Sequence, residues 1–199
     1  EISKESFGPP NVMILIRPSG LTEPPSKAGS RLFGNSDELF LQSRPKRGLL
    51  TPKEVRSLAL AELSLCATST VWDVGAGSGS LAIEAARLAP NGFVYAIEMD
   101  VDDHQLIEEN AARFGVNNLQ AILGQAPDAW SDLPDPDSIY VGGSGRAVTL
   151  LVEQAWERLK PGGRLVTSCN SIENLAAVHA SLRSRSDDAG YWMVNIARG

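Results

Sequence analysis

The stretch Val71-Trp72-Asp73-Val74-Gly75-Ala76-Gly77-Ser78-Gly79-Ser80 constrains this chain more than any other. A short run rich in β-branched and aromatic residues leads into three glycines at alternate positions, and an apolar helical pattern follows. A buried strand, a glycine turn and a helix in that order leave backbone N–H groups open at the helix start. Such a start holds a small, partly anionic ligand.

The neighbouring elements alternate in the same way. Strands are expected over 70–74, 93–98, 119–123, 138–142, 164–169 and 191–197. Helices are expected over 79–89, 102–114, around 127–131, 147–159 and 171–184. Ahead of them, Thr51-Pro52-Lys53-Glu54 has the form of a helix start, with threonine as the N-cap, proline at the first helical position and glutamate three residues after the cap. Val55, Leu58, Ala59 and Leu63 then share one helical face. Strands alternating with helices give an α/β fold, a doubly wound, mostly parallel sheet of the Rossmann-like kind.

The N-terminal quarter reads differently. Asn11–Arg17 is a β-branched apolar run, and Pro18 to Pro45 is rich in proline, glycine, serine and charge. Two readings of the first strand stand: the tail of an upstream domain, or a strand added to this domain's own sheet. The first is preferred, which divides the chain into a tail (1–17), a linker (18–47) and a main domain (48–199).

Composition removes several function classes. The formal net charge of −6 disfavours general nucleic-acid binding, which needs a basic surface. No apolar run approaches the roughly 18 residues of a membrane span. Cys66 and Cys169 stand far apart without metal-ligand spacing, as free thiols of a reducing, cytoplasmic setting do. With two histidines, His104 and His179, both in expected helices, no metal centre is expected and both read as surface or packing residues. No Ser/His/Asp or Cys/His set presents itself, so no residue is assigned as a catalytic group.

In open α/β sheets, ligands bind beyond the carboxyl ends of the strands. After the first strand, Asp73 leads Gly75-Ala76-Gly77-Ser78-Gly79. A dinucleotide fingerprint needs its third glycine one residue later, so a ligand without a pyrophosphate is favoured. Glycine lets the chain approach that ligand closely, and Asp73 attracts a cationic amine. After the second strand, Glu98 lies at about the spacing of a ribose-binding acid, and Met99 offers adenine a soft apolar surface. Asp100 is the better cap for the helix that follows. After the third strand, the Gln125 amide and Ala126 backbone can meet the adenine edge. After the fourth, Gly142-Gly143-Ser144-Gly145-Arg146 suits close contact with an anionic substrate. Arg44, Lys46, Arg47, Lys53 and Arg56 are either a solvated face or a field that steers a polyanionic substrate. Glu84 is either a hydrogen-bond partner behind the site or an exposed helix residue.

Asp73-x-Gly75-x-Gly77-x-Gly79, Glu98 and Lys160-Pro161-Gly162-Gly163 together resemble the class I S-adenosylmethionine-dependent methyltransferases, from Thr51 to the end of the chain. Within them, Gly48–Arg56, Val71–Ser80, Val141–Gly145 and Asn195–Arg198 resemble the decarboxylating precorrin methyltransferases of cobalamin synthesis. Phe7–Leu15 resembles the end of the tetrapyrrole methyltransferase domain that precedes them in fused proteins. The resemblance implies S-adenosylmethionine as cofactor, contacted by Thr51, the Gly75–Gly79 loop, Glu98 and Ala126. It implies methylation of carbon-15 of a polyanionic precorrin ring with loss of CO2 from the ring C acetate, and a homo-oligomer, a tetramer. Gln125 stands where the family usually has aspartate. The superfamily's closing antiparallel hairpin is represented by one strand only, so the sheet is expected to lack its last strand. Two other readings remain: a class I methyltransferase for another small molecule, a protein or RNA, and a non-catalytic cofactor-binding module.

Overall fold

The computed structural model describes residues 31–43, 50–142, 147–169, 171–191 and 193–194. Five strands, β1 (Thr70–Val74), β2 (Phe93–Glu98), β3 (Leu119–Leu123), β4 (Ser138–Val141) and β5 (Arg164–Thr167), form one sheet in the order β3-β2-β1-β4-β5. Every neighbouring pair is parallel. The order reverses between β1 and β4, which makes the carboxyl end of that pair the topological switch point. In register, Asp73 of β1 lies between Ala96 of β2 and Tyr140 of β4.

Five helices connect and cover the strands: α1 (Lys53–Glu62), α2 (Ser80–Leu88), α3 (Val101–Phe114), α4 (Val148–Arg158) and α5 (Ile172–Arg183). Alternate residues of β1 enter opposite cores, because successive side chains of a strand point to opposite faces. Val71 joins Leu60, Leu81, Ile83, Val94, Ile107 and Phe114 on one side. Trp72 and Val74 join Ile97, Trp130, Ile139, Val148 and Val152 on the other, where Trp72 and Trp130 stack at 5.4 Å between ring centroids. α3 starts as its sequence indicates: the Asp100 side chain accepts from the N–H groups of Asp102 and Asp103. It stops at Gly115, whose φ of 67° is the left-handed conformation of a helix end.

The structure departs from the local reading in four places. Thr51 does not cap α1. Pro52 occupies the cap position without a side-chain bond, and the Thr51 carbonyl instead accepts from Arg56 Nη1 at 2.7 Å. The segment expected around 127–131 is a single 3-10 turn, Asp128–Trp130. Tyr191, Met193 and Val194 are exposed and carry no strand; the other residues expected in the last strand, 192 and 195–197, lie outside the described residues. The fourth difference concerns the expected linker. Its described part, 31–43, lies against the domain: Phe40 is buried and stacks on Phe114 of α3 at 4.6 Å. The apolar cluster Leu39-Phe40-Leu41 gave the segment something to bury. The remaining tail and linker residues, 1–30 and 44–47, lie outside the described residues.

That strap is held by a buried ion pair. Arg56 Nε donates to Glu84 Oε2 at 3.0 Å, with both side chains fully buried. The Glu84 carboxylate also accepts from the backbone N–H groups of Gly34 and Asn35 and from the Asn35 amide, at 3.0, 2.8 and 2.9 Å. Arg56 continues to Asp37 and to the Asn35 carbonyl, and its guanidinium lies over the Phe40 ring. Glu84 is therefore not an exposed helix residue, and Arg56 is not part of a steering surface. Arg44, Lys46 and Arg47 lie outside the described residues. Among the described residues no helix is long and apolar enough to cross a membrane.

Removing one member of a buried pair leaves the other charge without compensation, at about 3–5 kcal/mol. Glu84→Ala is expected to lower the unfolding free energy by about that amount, and Glu84→Gln, which keeps an acceptor, by less. Urea denaturation measures both; a loss of under about 1 kcal/mol for Glu84→Ala contradicts the assignment.

Candidate functional site

The site begins where β1 ends. Gly75, Gly77 and Gly79 all have positive φ, at 74°, 54° and 79°. Each of those conformations is costly for a side chain, so alternate glycines are what the turn requires. Gly79 carries a second constraint, because an added Cβ would meet Ile107 of α3 at 3.0–3.3 Å. Its absence lets α2 start directly against α3. The turn is tied to the neighbouring strand, as the N–H groups of Gly75 and Ala76 donate to the Ile97 carbonyl at 2.9 and 3.1 Å.

Glu98 at the end of β2 is the hub of this arrangement. Its Oε2 accepts from the Gly77 N–H at 2.8 Å, and its Oε1 from the N–H groups of Met99 and Asp100 at 2.8 and 3.0 Å. An ionised carboxylate has about four acceptor positions. Three are used within the protein, which leaves one on Oε2. A pair of ribose hydroxyls therefore does not find two vacant positions on this carboxylate, although one hydroxyl does. Met99, next in sequence, is 69% exposed, as an apolar surface for a ligand must be. Val101 at the start of α3 and Leu123 at the end of β3 are also exposed. Gln125 is exposed and Ala126 half-buried, in the turn after β3.

Asp73 and Ser78 lie beneath the loop. Asp73 is 1% exposed, and its Oδ2 accepts from the Ala82 N–H in the first turn of α2 at 2.9 Å. Burial pushes its carboxyl up to about 7; the Ala82 bond works against that rise and the nearby Glu98 charge adds to it. Asp73 thus braces the start of α2 from below. The Ser78 hydroxyl is buried and has no hydrogen-bond partner among the described residues. An orphaned buried hydroxyl among positive-φ glycines, a vacant carboxylate position and an exposed methionine form a donor and acceptor set that fits a nucleoside-bearing ligand.

On the other side of the switch point is Gly142. It is buried, and its N–H donates to the Val74 carbonyl at 2.9 Å. An added Cβ would stand 2.6 Å from the Tyr140 ring, so glycine is required if Tyr140 keeps its place. Gly143, Ser144, Gly145 and Arg146 lie outside the described residues. Tyr140, which no motif marks, lies beside Gly142. Its hydroxyl is 2.9 Å from Ser168 Oγ, just past the end of β5. Burial raises its phenol above the usual tyrosine range, against the Ser168 and Thr51 hydroxyls that bond to it. Thr51, half-buried, thus sits by the β4 and β5 ends, some distance in sequence from the strands it serves. Tyr140 was visible as the lone hydroxyl in an otherwise apolar strand end, Ile139-Tyr140-Val141. His104 and His179 are half-buried on α3 and α5, and His179 packs edge-on against Tyr191.

A parallel α/β sheet of order 3-2-1-4-5, with a glycine turn after β1 and an acid at the end of β2, is that of a Rossmann-like nucleotide-binding domain, and the early third glycine, Gly79, sets it apart from the dinucleotide-binding ones. The model of the precorrin methyltransferase domain matches residues 45–191, and this chain belongs to that family. It is 41% identical over 146 residues to the cobalt-precorrin-6B C(15)-methyltransferase (decarboxylating) of Salmonella typhimurium, covering 73% of this chain and 74% of that one. It is 39% identical over 152 residues to the precorrin-6Y C(5,15)-methyltransferase (decarboxylating) of a Sinorhizobium species, covering 75% of this chain but 36% of that longer protein. The crystal structure of a precorrin 8W decarboxylase from Methanobacterium thermoautotrophicum is similar with a TM-score of 0.74 at 31% identity, covering 80% of this chain and 85% of that one.

The Asp73 carboxyl supplies a pH test. Its folded pKa of about 7 lies above the value near 3.8 of a free side chain, so the native state binds the extra proton between those limits. Its contribution to stability is complete below about pH 4 and is lost as pH rises through about 7. Asp73→Asn cannot titrate, and its stability relative to the parent protein is expected to improve from about pH 5 to about pH 8. Denaturation at both pH values measures this; a difference independent of pH refutes it.

Proposed function

We propose that this domain transfers a methyl group from S-adenosylmethionine to carbon-15 of a precorrin macrocycle and releases the ring C acetate carboxyl as CO2, a step of cobalamin biosynthesis. The observation that carries this reading is the placing of the glycine turn after β1 and of the buried Gly142 after β4 on either side of the sheet's switch point, in a chain of the precorrin methyltransferase family. The name of the Salmonella relative states the same reaction.

S-adenosylmethionine supplies an electrophilic methyl group when bound. The residues proposed to hold it are Thr51, Asp73, the Gly75–Gly79 loop with Ala76 and Ser78, Glu98, Met99, Gln125 and Ala126. Glu98 orients the ribose through the open position on Oε2 while keeping the Gly77 N–H in place. Met99 covers the adenine. Asp73 keeps α2 against the sheet and favours a cationic group above it. Gly142, Gly143, Ser144, Gly145 and Arg146 are the residues proposed for the macrocycle and its acetate carboxylate. The ring carbon is the nucleophile, so the protein's part in methyl transfer is alignment. In the decarboxylation the acetate C–C bond breaks, its electron pair enters the conjugated ring, CO2 leaves, and a proton from water takes the vacated position.

The Sinorhizobium relative is much longer than the matched region, and Phe7–Leu15 resembles the end of a tetrapyrrole methyltransferase domain. These support a tail at 1–17 and an upstream fusion partner, with residues 31–43 of the stretch 18–47 packed on the main domain 48–199. The resemblance also supports a tetramer, and the free thiols Cys66 and Cys169 support a cytoplasmic setting.

The test uses the purified chain with methyl-labelled cofactor and precorrin-6B, or its cobalt form. Label transfer to the ring together with CO2 release is the expected outcome; binding without turnover points to a non-catalytic module. Glu98→Ala is expected to weaken S-adenosylhomocysteine binding by about 1–3 kcal/mol, from the loss of hydrogen bonds to a charged group. Calorimetry with unchanged affinity would remove Glu98 from the cofactor site.

A further inference from the structure

The strap and the glycine turn meet at one side chain. Asn110 lies on the inner face of α3 with Ile107, Ala111 and Phe114, and it is fully buried. Its Oδ1 accepts from the Leu41 N–H at 2.8 Å. Its Nδ2 donates to the Leu41 carbonyl at 3.0 Å and to the Ser78 carbonyl at 2.9 Å. Both amide hydrogens are thus in use, one on the strap and one on Ser78 of the glycine turn. The carbonyl of Ser78 belongs to the peptide that carries the Gly79 N–H, so holding that oxygen sets the plane of the peptide leading into Gly79, the N-cap of α2.

The strap is fastened independently on both sides of Leu41. Glu84 holds Gly34 and Asn35, Phe40 lies between Phe114 and the Arg56 guanidinium, and Ser43 Oγ donates to Asp103 at 3.1 Å. None of these anchors is in the glycine turn. Asn110 joins them to it.

We propose that Asn110 is a positioning residue which makes the conformation of the cofactor turn depend on docking of residues 34–43. The inference rests on the reading of Gly75–Gly79 as the S-adenosylmethionine site. By linkage, a strap that favours the binding form of the turn is itself held more firmly when ligand is bound, by the same factor. A strap serving only to cover the core has no such reciprocity.

The test is hydrogen exchange of the full chain with and without S-adenosylhomocysteine, beside calorimetry. Exchange over 34–43 is expected to slow by about fivefold or more on binding. Asn110→Asp keeps the side chain's size but turns both donated bonds into contacts between oxygens. It is expected to raise the Kd for S-adenosylhomocysteine about tenfold and to abolish the ligand's effect on strap exchange. Phe40→Ala loosens the strap from a position outside the turn and is expected to raise the Kd about fivefold, with Phe40→Leu restoring most of the affinity. Tight binding by the parent chain with no change in strap exchange, or an unaltered Kd in Phe40→Ala, overturns the coupling and leaves the cofactor reading intact. No binding by the parent chain overturns both.

Discussion

The Glu84 carboxylate is the interaction on which the arrangement of this domain depends. It sits fully buried in α2 and accepts from one guanidinium, one side-chain amide and two backbone N–H groups. A buried ion pair is poor evidence of net stability, because desolvation offsets much of the attraction. It is strong evidence of specificity. A carboxylate so enclosed tolerates one geometry, and that geometry brings together α1, α2 and a strap from 49 residues upstream. Through Arg56 it also holds the Thr51 carbonyl, at the turn that reaches the β4 and β5 ends.

The site above it is built mainly from backbone. Glycine φ values, the Ile97 carbonyl and the Glu98 carboxylate shape the turn after β1. This suits a transfer in which the cofactor and the ring hold the reacting atoms. The protein has to align them and exclude alternatives. Glu98 is itself part of that frame, because its carboxylate accepts from the N–H groups of Gly77, Met99 and Asp100.

Much of this was legible along the chain. The bounds of β1, β2 and β3 follow from short apolar runs between turn residues, and Asp100 and Gly115 announce the ends of α3 by local rules. The glycine turn and Glu98 were legible because positive φ and strand-end acids leave direct traces in residue type and spacing. Other features left traces of a kind easily discounted. Glu84 stands alone among Leu81, Ala82, Ile83, Ala85 and Ala86, a helix stretch apolar all round, which foretells burial and so the need for a partner. Asn110 occupies the apolar face of α3. Neither position says which distant residue answers it, and Arg56 looked like one more member of a basic cluster.

Local pattern was sufficient for the parallel α/β fold, the glycine turn after β1 and the family resemblance, because each rests on contacts within a few residues or on steric limits of the backbone. Tertiary structure alone decided that residues 31–43 belong to the domain, that Thr51 accepts a bond rather than capping a helix, and that Asn110 joins the strap to Ser78. The reason is physical. A buried polar group must find its partner wherever the fold provides one, and the distances that settle it, 49 residues for Asn35 and Glu84 or 69 for Leu41 and Asn110, lie beyond any local rule.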